Sequence, residues 1–124
     1  MTTPTIAIKV DTQFIPSQSD EPQHRFVFAY HIEIHNQSAQ TVQLLRRYWS
    51  IHDGNGKHTE VEGDGVVGEQ PLLAPNARYQ YTSGCVLETP VGTMQGYYVM
   101  QTIGGEEFQA PIPLFRLAKA GVLN

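Results

Sequence analysis

Cysteine is nearly absent from this chain: Cys85 is the one thiol. No internal disulfide can form, and the fold must stand on packing and hydrogen bonds. Within Ser83-Gly84-Cys85-Val86-Leu87 that residue reads as a small buried hydrophobe rather than a nucleophile. Long apolar runs are missing as well, so neither a membrane-spanning helix nor a signal peptide is expected, and a soluble cytoplasmic protein fits. Positive charge is scarce. Eight Lys and Arg stand against twelve Asp and Glu, a formal net charge of -4. Such a chain lacks the field that gathers phosphate backbones, so no DNA or RNA partner is expected. Sustained helical periodicity is the remaining absence. At 124 residues the chain is expected to form a single domain, residues 1-124, large enough to close a core without metals, with loose ends before about residue 5 and after about residue 119.

What is present is alternation with a period of two, the signature of half-buried strands. Ile6, Ile8 and Val10 alternate with Ala7, Lys9 and Asp11, and Phe26, Phe28, Tyr30, Ile32 and Ile34 repeat the pattern beyond a polar, proline-bearing loop at 16–22. A third run over 41–52 stops at Asp53-Gly54-Asn55-Gly56, whose residues tolerate the positive φ of a tight hairpin, and a return strand is expected from about Lys57. The D-x-N opening of that turn faintly matches a calcium loop, but Lys57 and His58 stand where a ligand and an obligatory glycine belong. Later runs at 79–82, 97–102 and 108–115 are divided by glycine or proline, with Gly104-Gly105 as another hairpin turn. Pro111 and Pro113 place the last run at a sheet edge, since proline cannot donate to a ladder on both sides. Short antiparallel strands at this spacing predict an all-β, immunoglobulin-like or fibronectin type III-like antiparallel β-sandwich.

Gly63-Asp64-Gly65-Val66-Val67-Gly68 spells a dinucleotide-binding fingerprint. That motif works where a strand opens into a helix whose free N–H groups meet a pyrophosphate. Here Pro71 and Pro75 leave no room for a helix, and Glu60, Glu62, Asp64 and Glu69 would repel a phosphate. A phosphate-binding lysine is missing too, because Glu69-Gln70 occupies its place and that of the following hydroxyl residue. Gly63, Gly65 and Gly68 are therefore assigned to turns and close backbone approach.

Arg47-Tyr48-Trp49, the stretch Gly63 to Pro71, Tyr79-Gln80-Tyr81-Thr82-Ser83-Gly84, Gly92-Thr93-Met94-Gln95-Gly96 and Ile112-Pro113-Leu114-Phe115-Arg116-Leu117 together resemble the ApaG family, called CorD in some bacteria. The resemblance implies a fibronectin-type β-sandwich and an association with cobalt tolerance and magnesium efflux, which is a phenotype rather than a chemistry. Related domains stand beside an F-box region and in a polymerase-delta-interacting protein, where they resemble interaction modules. It carries no catalytic residue and no cofactor onto this sequence.

Two kinds of surface site follow from the residues themselves. His31, Glu33 and His35 project from one face of a strand, and two imidazoles with a carboxylate suit cobalt, nickel or zinc better than magnesium; the bland reading is a solvent face opposite the apolar residues of the same strand. Glu60, Glu62 and Asp64 make a second oxygen-rich row with the same ambiguity. Trp49 belongs in the core, but Tyr48, Tyr79, Tyr81, Tyr97 and Tyr98 cannot all point inward. Arg46, Tyr48 and Ser50 share one side of their strand, and Arg47, Trp49 and Ile51 the other, so Arg46 and Tyr48 form the candidate partner surface. The expected function is a non-enzymatic protein-binding module without a cofactor. The alternative is direct binding of a divalent cation or small anionic metabolite at the glycine loop or histidine face, with an enzyme third.

Overall fold

The structure, a computed structural model, describes residues 3–119. Eight strands follow one another: β1 Ile6–Phe14, β2 Phe26–Asn36, β3 Val42–Asp53, β4 His58–Asp64, β5 Leu72–Leu73, β6 Arg78–Leu87, β7 Val91–Thr102 and β8 Glu107–Ala118. Short 3-10 turns at Pro16–Gln18 and Glu21–Gln23 fill the proline-bearing loop. The strands form two antiparallel sheets, β1-β2-β6 and β4-β3-β7-β8, with the short β5 paired to β3. This is the fibronectin type III-like sandwich that the alternation predicts. The expectation for the chain beyond residue 119 lies outside the described residues.

The alternation works because one face of each sheet meets the other sheet. Along β2, Phe28, Ile32 and Ile34 are fully buried, and β1 lays Ile8 and Val10 beside Ile34 and Ile32. Each such side chain contributes about 1.5–3 kcal/mol on leaving water. Trp49 fills the centre, packed edge-on against Tyr30 and Phe115 at 5.4 and 5.8 Å between ring centroids. Cys85 is buried, and its surroundings push the thiol up to about 11. Asn36 is the principal polar residue inside. Its Nδ2 donates to the carbonyls of Gln40 and Leu73, and its Oδ1 accepts from the Ser38 N–H, which ties the β2–β3 loop to β5.

The turns follow their residue chemistry. Asp53 Oδ1 accepts from the N–H groups of Asn55 and Lys57, both at 2.9 Å, so this loop is a hairpin turn held by its aspartate. Pro111 and Pro113 lie on β8, at the sheet edge. Two irregularities shift which side chains point inward. In β3 the extra residue Leu45 moves the inward set from Val42 and Leu44 to Trp49 and Ile51. In β8 the pair Pro113-Leu114 opposes Gln95 alone, and the inward set passes from Ala110 and Ile112 to Phe115 and Leu117.

Candidate binding groove on the larger sheet

The bulge at Leu45 creates the site. Its carbonyl, turned out of the regular ladder, accepts from the Gly65 N–H at 2.8 Å and from Gln70 Nε2 at 2.9 Å. The loop after β4 is thereby fastened to β3. Arg47 completes the joint: its Nη1 donates to the carbonyl oxygens of Asp64 and Gly65 at 3.1 and 3.0 Å, across a register in which Arg47 faces Gly63. Gly63 is thus a strand residue whose missing side chain admits the guanidinium. Gly65 and Gly68 are turn glycines, with φ +63° and +81°. Beyond them Tyr79 donates its hydroxyl to Glu69 Oε2 at 2.9 Å, joining the loop to the smaller sheet. Within the loop, Val66 and Glu69 exchange backbone hydrogen bonds at 2.8 and 2.9 Å, while the Gly65 N–H is taken by β3.

Behind Arg47, on the inner face, the hydroxyls of Tyr81 and Tyr98 share a hydrogen bond in the core. Burial raises both pKa values above the ordinary tyrosine range, and the Arg47 charge opposes that rise. On the outer face, registers across β4, β3, β7 and β8 place side chains in two rows. One runs Asp64, Arg46, Val99, Gln109; the other runs Glu62, Tyr48, Tyr97, Pro111. Between them lies an open groove of about 430 Å³. Tyr48 and Tyr97 stack at 5.0 Å and 27° between ring planes. Arg46 is held by Glu107 at 2.8 Å. The Tyr48 hydroxyl is pushed above its ordinary range, chiefly by desolvation and then by the Glu60 charge.

Arg46 is exposed and Tyr48 half-buried, both on the outer side, as the parity of the strand predicts. Ser50 lies on that side too but is covered, its Oγ 2.8 Å from His58 Nε2. Glu60 approaches the same Nε2 at 3.9 Å. A catalytic relay needs its carboxylate on the opposite ring nitrogen, so Ser50, His58 and Glu60 have the composition of a triad without its connectivity. Glu60, Glu62 and Asp64 line the exposed side of β4.

The histidine face is arranged differently from a metal centre. His31 Nδ1 and Nε2 lie 2.8 and 3.0 Å from Thr82 Oγ1 and Gln80 Oε1, and His35 Nε2 lies 2.8 Å from Asn76 Oδ1. Glu33 accepts from Arg78 at 3.2 Å and from Gln80 at 3.1 Å. Each ring therefore has partners of its own. Among the described residues no three His, Cys, Asp or Glu side chains are grouped as metal ligands. Among the described residues no helix is long and apolar enough to cross a membrane.

The family model of the ApaG domain matches residues 16–102. The chain belongs to the ApaG family. It is 51% identical to Protein ApaG of Pectobacterium carotovorum over 121 residues, 98% of this chain and 97% of that one, and 53% identical to Protein ApaG of Erwinia tasmaniensis over 118 residues, 95% and 94% of the two chains. Among solved structures, a protein of Bordetella pertussis described as a putative ApaA protein superposes with a TM-score of 0.92 at 43% identity, covering 95% of this chain and 96% of that one. A protein from Archaeoglobus fulgidus, 8% identical with a TM-score of 0.58 over 93% of this chain and 98% of that one, shares the fold alone.

Three of the five stretches that carry the ApaG resemblance meet in space: the Arg47 motif, the glycine loop and the Tyr79 strand are tied together by the hydrogen bonds above. Sequence reasoning missed Arg47 as the organiser of this joint, and it missed Tyr97 as the partner of Tyr48. Both depend on registers between strands far apart in the chain. A cue was present for Tyr97, an outward tyrosine beside the inward Tyr98.

Proposed function

We propose that this ApaG domain is a non-enzymatic cytoplasmic binding module that acts through a protein partner seated in the groove at Arg46 and Tyr48. Any effect on cobalt tolerance or magnesium efflux is then exerted through that partner. The observation that carries the reading is the groove itself: two stacked tyrosine rings, with the Arg46 guanidinium and the carboxylates of Glu62 and Asp64 around them, on one face of a sheet. Tyrosine offers large contact area with few side-chain torsions to freeze, and arginine a planar fork of hydrogen-bond donors, which is why both are enriched at protein contacts. The buried thiol and the connectivity of Ser50, His58 and Glu60 give catalysis no comparable support.

The test is the double variant Arg46→Ala/Tyr48→Ala. It loses one exposed ion pair and one stacked ring pair, so its stability should fall by only about 1–2 kcal/mol. Affinity capture from lysate, with and without added cobalt or magnesium, should lose partners that the parent retains. Undiminished capture by the folded variant would place the contact elsewhere.

A further inference from the structure

We infer that the occupant of this groove is an extended, cationic, proline-bearing segment of a partner protein, entering with its positive charge at the β4 end. This deepens the proposed function and rests on it. The first reason is direction. The groove crosses the strands of the larger sheet rather than running along an edge, and the strands beneath it already pair with each other. An occupant therefore finds no free ladder to join. A polyproline II segment needs none, because its backbone makes no internal hydrogen bonds and docks through ring and side-chain contacts on aromatic grooves. Four strands span about 14 Å from centre to centre, which a polyproline II segment covers with roughly four or five residues.

The second reason is the composition of the two rows. Their middle is Arg46 and Val99 in one row and Tyr48 and Tyr97 in the other, where the stacked rings cover each other's inner faces and leave their edges and outer faces to pyrrolidine rings. Their β4 end is Glu62 and Asp64, and among the described residues neither carboxylate has a cationic partner within ion-pair distance. Arg46 faces Asp64 in register but is held by Glu107, and the Arg47 guanidinium is turned to backbone carbonyls. The groove thus has a negative end and a middle in which tyrosine rings stand beside an arginine whose charge is already met by Glu107. That polarity selects a lysine or arginine on the ligand and sets its direction.

The probe is a synthetic peptide of Pro-Pro-Arg repeats, titrated at low salt and followed by amide chemical shifts and calorimetry. Binding should be saturable, shift the signals of Arg46, Tyr48, Tyr97 and Gln109, and weaken as salt rises. The charge-neutral variant Glu62→Gln/Asp64→Asn, whose positions are exposed, should bind about tenfold more weakly, as expected for the loss of roughly two exposed ion pairs. A peptide with glutamate in place of arginine should not bind, and one with glycine in place of proline should bind more weakly. Cationic peptide binding that ignores the Glu62/Asp64 change, or that spares the groove signals, overturns the inference. If no such peptide binds while capture of a cellular partner still depends on Arg46 and Tyr48, the groove is the contact and the partner chemistry inferred here is wrong. If neither depends on the groove, both readings fail.

Discussion

The guanidinium of Arg47 occupies the space that a side chain at Gly63 would require. A Cβ built on Gly63 would stand 2.8 Å from Arg47 Nη1 and 3.0 Å from its Cζ. The glycine is thus matched to an arginine sixteen positions earlier, opposite it in the register of β3 and β4. Because Arg47 also holds the carbonyls of Asp64 and Gly65, this contact joins the bulged strand to the glycine loop.

Gly63→Ala should displace the guanidinium and weaken its two hydrogen bonds. Charge-assisted hydrogen bonds are worth about 1.5–3 kcal/mol each when buried, but this pair is partly exposed, and alanine suits a strand better than glycine; a net loss of about 1 kcal/mol is expected. In an Arg47→Ala background the same change should be nearly neutral. Chemical denaturation of the two single variants and the double variant measures that coupling. Additive losses would show that Gly63 serves something other than Arg47.

Stability should decline at alkaline pH through groups buried in neutral form. Burial raises the Cys85 thiol from 9.0 to about 11 and raises Tyr81 and Tyr98 in the same direction. For a group whose folded pKa is raised, the unfolded state loses its proton first. The stability associated with the neutral form is intact below the unfolded pKa and drains away as pH climbs toward the folded one. For Cys85 that window is pH 9.0 to about 11. Melting temperature measured across it should fall, and Cys85→Val, which has no proton to lose, should fall less steeply. Equal slopes would remove Cys85 from the account.

Much of this fold was legible because burial writes itself into a strand with period two. Phe28, Ile32 and Ile34 announce β2, and Asp53-Gly54-Asn55-Gly56 announces the hairpin. Even the outward placement of Arg46 and Tyr48 follows from counting away from Trp49. The bulges at Leu45 and at Pro113-Leu114 were not legible, since an extra residue exists only relative to a partner strand. The groove shares that obscurity. Tyr48 and Tyr97 lie forty-nine positions apart, and nothing local to either says that they stack. Arg47 illustrates the same point: parity puts it on the side of Trp49, and only the β3–β4 register sets it over a glycine.

Val67 gives the last prediction. It sits at the tip of the glycine loop with φ +42° and 57% of its surface exposed, in a two-residue turn closed by the hydrogen bonds between Val66 and Glu69. A β-branched residue in the left-handed region brings its Cβ against the following carbonyl, at a cost of about 1–2 kcal/mol. Asparagine adopts this conformation far more readily and keeps a side chain of similar size. Val67→Asn should therefore raise stability by about 1 kcal/mol, with a higher urea midpoint at an unchanged slope. The gain requires that the valine methyl groups, exposed as they are, contribute little packing. A lower midpoint would mean that they bury enough apolar surface against the loop to outweigh the backbone strain.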